Sequence, residues 1–269
     1  MWRGAYSSGI VLAVAMLGNV SAGWAYEIRD VVNGGTISGK VSFQGTPPTP
    51  KLFPVKKDPE VCGAERRVNE VVVRNGWLQG AIVILEEVTA GKPFATASDR
   101  GEPPGKGEFH YGGGDQLSLE IFTKGCNFGP FTGVLTLDEP VRFLNHDPIK
   151  HILHSVSSRD DKGLILRTIH NRELRPDTVV ERTFLARTLK TNRVVGIHCN
   201  RHDFMQSWFH VVTTPYFSIS DEEGKFTIDQ VPPGQYELLA WHPTLGLKRQ
   251  EVTVAPDGIV EMSFGFTRK

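Results

Sequence analysis

Residues 194–212 read VVGIHCNRHDFMQSWFHVV. Two short apolar runs, 194–199 and 207–212, have the composition of β-strands and bracket a short loop. Within it Cys199, His202 and Met205 fall at regular intervals of three. With independent positions and this composition, a Cys meets His at +3 and Met at +6 about once in two thousand cases. Thiolate, imidazole and thioether are soft or borderline donors suited to copper. The competing account is packing, because Cys and Met both fill cores well.

Upstream lies FLNHDPIKHILHSV, residues 143–156, which offers His146, His151 and His154. His151 with Cys199, His202 and Met205 makes two imidazoles, one thiolate and one thioether. That is the donor set of a mononuclear electron-transfer copper site. His154 is the alternative ligand: with His151, Cys199 and His202 it makes a zinc set of one cysteine and three histidines. In a strand, however, positions i and i+3 face opposite ways, which sets His151 and His154 apart. His146, His170, His198 and His210 are expected at the surface or around the ligands. A two-copper centre needs a second bridging cysteine in the loop, and position 195, for example, is Val.

Around this centre the chain is punctuated by β-like runs. LSLEIF, GVLTL, PVRFLNH, HILHSV, TVVERTFLA, NRVVGIHC and SWFHVV are short and separated by turn residues, a pattern that predicts a β-sandwich. Residues 91–116 are rich in Gly, Pro and charge and read as a linker. Before it, EVVVRNGWLQGAIVILEEV reads as two strands about Asn75-Gly76. After TTPY, alternating pairs such as Phe226/Ile228 and Val252/Val254 predict a compact antiparallel module. Its Trp241-His242 lacks clustered partners and reads as structural.

The chain has 30 Lys+Arg against 30 Asp+Glu, so no basic excess points to nucleic acid. Arg3, an apolar run from Ile10 to Leu17 and small residues up to Ala25 form a secretory signal pattern. The run is too short to span a bilayer. Without residues 1–25 the charges are 29 against 30, net −1. Export makes a disulfide possible and leaves one of three cysteines over. Cys62 and Cys126 have loop-like neighbours and Cys199 ends a strand, which favours Cys62–Cys126, although the spacing permits any of three pairings.

The His region and the Cys-His-Met loop resemble those of cupredoxins of the plastocyanin/azurin type. The chain is also similar to a bacterial group of exported cupredoxin-like proteins, some labelled methylamine-utilisation proteins. In these the copper-type domain precedes a carboxypeptidase regulatory-like (transthyretin-like) β-module. The carrying segments are GGTISGKVSFQGTPP (34–48), KDPEVCG (57–63) and PYFSISDEEGKFTIDQVPPGQYELLAWHPTLG (215–246). The resemblance implies copper on His151, Cys199, His202 and Met205. Ile152 stands where cupredoxins usually carry the Asn that ties the two ligand loops together.

The expected architecture is therefore all-β: a cupredoxin Greek-key β-sandwich flanked by small antiparallel β-modules. Its parts are a signal peptide (1–25), an N-terminal β-module with linker (26–115), the copper domain (116–213) and a C-terminal module (214–269). The expected function is one-electron transfer in the periplasm or outside the cell, with His202 near the surface as electron port and a cytochrome or dehydrogenase as partner. No nucleic acid, membrane insertion or catalysis is expected. The alternatives are a copper carrier or store, and an envelope interaction protein whose cupredoxin domain is empty. A Cys199–His202 nucleophile–base pair lacks an identifiable third group.

Overall fold

A computed structural model describes residues 26–94, 120–158 and 165–268. The expected signal peptide and most of the linker lie outside the described residues. The protein is all-β, with two four-residue helices among the described residues, Pro59–Cys62 (α1) and Ala186–Leu189.

The middle of the chain folds as a two-sheet sandwich. One sheet runs Phe128–Gly129, Glu120–Thr123, Pro140–Asn145, Val179–Thr183. The other runs Thr132–Thr136, Gln206–Val212, Val194–Cys199, His151–Ser158, Ile165–Leu174. The alternation seen in the sequence is what fills the space between them: Leu153, Val195, Ile197 and Phe209 meet Ile121, Val141 and Phe143 in one buried cluster. Each such side chain contributes about 1.5–3 kcal/mol when taken fully out of water.

The two flanking segments are not separate modules, which corrects the expected division at 26–115 and 214–269. Strand Gly35–Gln44 pairs antiparallel with Lys225–Val231 on one side and parallel with Ile259–Thr267 on the other. In the facing sheet, Ile82–Leu85 is hydrogen-bonded between Phe217–Ile219 and Gly234–His242. Residues from both ends therefore close one core, including Ile37, Val41, Leu85, Ile228, Leu238 and Phe264. Within the C-terminal segment only Gly234–His242 and Gly246–Val254 pair with each other, a two-stranded hairpin that is marginal alone. Gly39 permits the parallel pairing, since a Cβ there would stand 1.7 Å from the Met262 carbonyl oxygen. The middle domain is thus inserted within a sandwich made by both ends of the chain. Val134, Val194 and Val212 of the inserted domain pack with Ile82, Phe217 and Trp241 of the outer one.

One piece of the N-terminal segment leaves the outer sandwich. Strands Lys51–Pro54 and Glu65–Val68 pair and enclose α1. Phe53, Val61 and Val68 pack against the core of the inserted domain, and Cys62 is bonded to Cys126.

Candidate metal centre

The site forms where two neighbouring strands end. His151 opens its strand and Cys199 closes the antiparallel neighbour, with Leu153 opposite Cys199 in register. The loop after Cys199 is closed by its own backbone: Met205 N–H donates to His202 C=O at 3.2 Å and Cys199 N–H to Met205 C=O at 3.3 Å. Main-chain groups of Ile152 tie the two segments, a task that its apolar side chain cannot do. Ile152 N–H donates to Cys199 Sγ at 3.4 Å, and Asn200 N–H donates to Ile152 C=O at 3.1 Å.

Three donors converge. His151 Nδ1 lies 3.2 Å from His202 Nδ1, and Cys199 Sγ lies 3.8 Å and 3.7 Å from these two nitrogens. Exposure is 0% for His151, 4% for Cys199, 2% for His202 and 1% for Met205. A single ion with metal–nitrogen bonds of about 2.0 Å and a metal–sulfur bond of about 2.3 Å separates its donors by about 3.3–3.8 Å, the nitrogen–nitrogen pair at the short end and the sulfur–nitrogen pairs at the long end. The spacing fits one ion held by two imidazoles and a thiolate.

The far side of each ring explains why Nδ1 faces inward. His151 Nε2–H donates to Asp147 Oδ2 at 2.9 Å and His202 Nε2–H donates to Asp58 Oδ2 at 3.0 Å. Both Nδ1 atoms of the neutral rings are then lone-pair bearers. Two lone pairs and a sulfur face one another in a buried space, an arrangement that a proton or a metal cation relieves. Carboxylates placed behind ligand imidazoles fix the tautomer and raise ring basicity.

The electrostatics agree. Burial alone disfavours charge on His151, but its bonds to Asp147 and Cys199 outweigh that and push it up to about 9. Burial opposes ionisation of Cys199, yet His151 and the backbone N–H groups of Ile152 and Arg201 bring the thiol below its ordinary value. His202 is held down by burial and by neighbouring His151, against the opposing pull of Asp58. Asp58 is brought to about 2 chiefly by Arg201, whose Nε and Nη2 donate to its two oxygens at 2.5 and 2.6 Å. Asp147 stays below the usual carboxylate range despite burial, because His151 and the Cys126 N–H bind it. Asn145 completes this buried support: its Oδ1 accepts from Asp147 N–H and from Thr123 Oγ1.

The structure brings His151, Cys199 and His202 together and buries Met205 at the base of the same loop. His154 lies elsewhere. It sits opposite His198 across the strands, with Nε2 2.8 Å from Thr168 Oγ1, so the set of one cysteine and three histidines is not assembled. His146 is exposed and His170 contacts Ser155 Oγ. His198 packs edge-on against Trp208. His210 corrects the surface expectation: it is buried against Trp241 where the two sandwiches meet. His242 is a buried, uncharged histidine whose Nδ1 accepts the Thr244 N–H.

His202 also departs from expectation. Its ring does not reach the surface itself, because Asp58, Arg201 and α1 cover the edge that would face solvent. The sequence reading did not single out Asp58 or Asp147. Asp147 carries a local signal, four residues before His151. Asp58 has none, being 144 residues from His202.

A protein-family model described as polysaccharide lyase family 4, domain II, matches residues 191–260, well under half of the chain. No curated protein matches. Among solved structures, the chain is similar to a purple cupredoxin from Nitrosopumilus maritimus, at 18% identity and a TM-score of 0.27, over 35% of this chain and 98% of that one. It is also similar to two variants of amicyanin, one in the oxidised state at 15% identity and a TM-score of 0.29, the other in the reduced state at 14% and 0.28. Each match covers 35% of this chain and 82% of the other. The all-β assignment itself rests on the strand pairings above.

Proposed function

We propose that this is an exported mononuclear copper protein of cupredoxin type that carries single electrons. The observation that carries the reading is the trio of His151 Nδ1, His202 Nδ1 and Cys199 Sγ, buried and facing one another at 3.2–3.8 Å. Met205, buried in the same loop, would complete the set as a weak thioether donor. Copper bound there would supply exchange of one electron between Cu(I) and Cu(II).

The protein's share of the work is to hold one geometry for both charge states. Asp147 and Asp58 fix the two rings, Ile152 fixes the sulfur, and the buried setting excludes water. Such a preformed site limits rearrangement when charge changes. The same closure argues against a carrier that must release its ion readily, and against an open nucleophilic Cys199–His202 pair. The signal pattern and the disulfide favour the periplasm or the exterior. The partner is a redox protein such as a cytochrome or a dehydrogenase, and the C-terminal strands belong to a carboxypeptidase regulatory-like unit completed by the N-terminal strands.

Anaerobic titration with Cu(I) under a competing chelator tests the reading. One ion per chain is expected, with no comparable loss on His154→Ala. No uptake, or zinc preferred to copper and lost on His154→Ala, would overturn it.

A further inference from the structure

Asp58 is built for something other than its helix. It occupies the N-cap position of α1 with φ 54° and ψ 43°, yet its side chain makes no cap bond. Aspartate at an N-cap normally accepts from the first turn. Here both oxygens leave the helix for Arg201 and His202. The left-handed backbone is one that aspartate tolerates better than most residues.

The hairpin that delivers it is clasped at the same place. Cys62, the last residue of α1, is bonded to Cys126, and its sulfur lies 3.9 Å from His202 Nε2. Cys126 N–H in turn donates to Asp147, the carboxylate behind His151. One covalent link therefore joins α1, which carries Asp58 at its start, to the turn whose Cys126 N–H holds Asp147. Cys199 is the one free thiol and it is buried beneath this assembly.

We propose that Asp58 is a positioning residue that holds His202 with its proton on Nε2, and that the hairpin Lys51–Val68, clasped by Cys62–Cys126, is a cover closing the His202 edge of the centre. The proposal rests on the copper reading only for what Nδ1 then binds. The tautomer and the closure are properties of the metal-free protein.

The test uses the metal-free full chain. Nitrogen-15 NMR reads the His202 tautomer, and iodoacetamide reads access to Cys199. In the wild type, the proton is expected on Nε2 and alkylation at least about tenfold slower than in urea-unfolded chain, as a locally closed structure requires. Asp58→Ala should mix the tautomers and speed alkylation. Asp58→Asn, whose amide oxygen still accepts, should restore the tautomer. The double variant Cys62→Ser/Cys126→Ser keeps every charge at the site, so its faster alkylation reports loosening of the cover alone. A wild type alkylated at the unfolded rate, or variants matching the wild type in both readouts, would overturn the proposal. A protein with the expected tautomer and protection that binds no copper would overturn the copper reading and leave the cover standing.

Discussion

Asp58 Oδ2 stands 3.0 Å from His202 Nε2, across 144 residues of sequence. Asp147 Oδ2 stands 2.9 Å from His151 Nε2, across four. Each imidazole is thus backed by a carboxylate, one supplied locally and one brought in by a segment remote in the chain. The pair of relationships turns both Nδ1 atoms toward Cys199 and makes the cluster a candidate metal site.

Asp147→Asn should lower metal affinity by about 10–100-fold, the usual range for a lost partner behind a ligand histidine. The amide can still accept the Nε2 proton, so folding is retained while the negative charge is lost. Competition titration reads the affinity, and NMR should show the metal-free His151 titrating closer to its ordinary value. An unchanged affinity would mean that Asp147 serves only the buried hydrogen-bond network.

The pH dependence has a definite sign. His151 holds its proton up to about 9 in the folded state, against 6.5 unperturbed. Its contribution to stability is whole below pH 6.5 and is lost as pH rises through about 9. Cys199, with its value lowered, contributes in the opposite sense: fully above its ordinary value, and lost as pH falls through the lowered one. In the metal-free wild type these slopes offset each other. In Cys199→Ser, His151 loses one of the two partners that raise it, so in the metal-free variant it should titrate below the wild-type value of about 9, as NMR can read. Metal must displace the His151 proton, so affinity should increase by up to about tenfold per pH unit toward 9. Copper affinity independent of pH between 6.5 and 9 would contradict this.

A chain ending at Val212 should lose the outer sandwich altogether. Strand Gly35–Gln44 would be stripped of Lys225–Val231 and Ile259–Thr267, its two long partners. Circular dichroism and hydrogen exchange should show residues 35–44 and 82–85 unprotected. Protection equal to that of the full chain would mean that the N-terminal segment folds independently.

These cases also mark what the sequence could and could not reveal. The strands around residues 132–212 were legible because alternation is local, and the convergence of Cys199 and His202 because they share one loop. The shared outer sandwich was not legible, since Ile37 and Val260 are register partners more than two hundred residues apart. The cover over His202, which was expected near the surface, was not legible for the same reason. Nothing near position 202 announces that Asp58 and α1 lie over it. Ile152 taught a different point: a missing Asn side chain was replaced by main-chain bonds, which a residue pattern does not display.

The most direct test of the central claim is the visible-absorption and electron-spin-resonance spectrum of the copper(II)-loaded protein beside that of Cys199→Ser. A sulfur–copper bond gives a thiolate-to-copper charge-transfer band that serine cannot supply. This band is expected in the wild type and should disappear in the variant. Indistinguishable spectra would show that Cys199 does not bind the metal, and the spacing at 199, 202 and 205 would then be core packing.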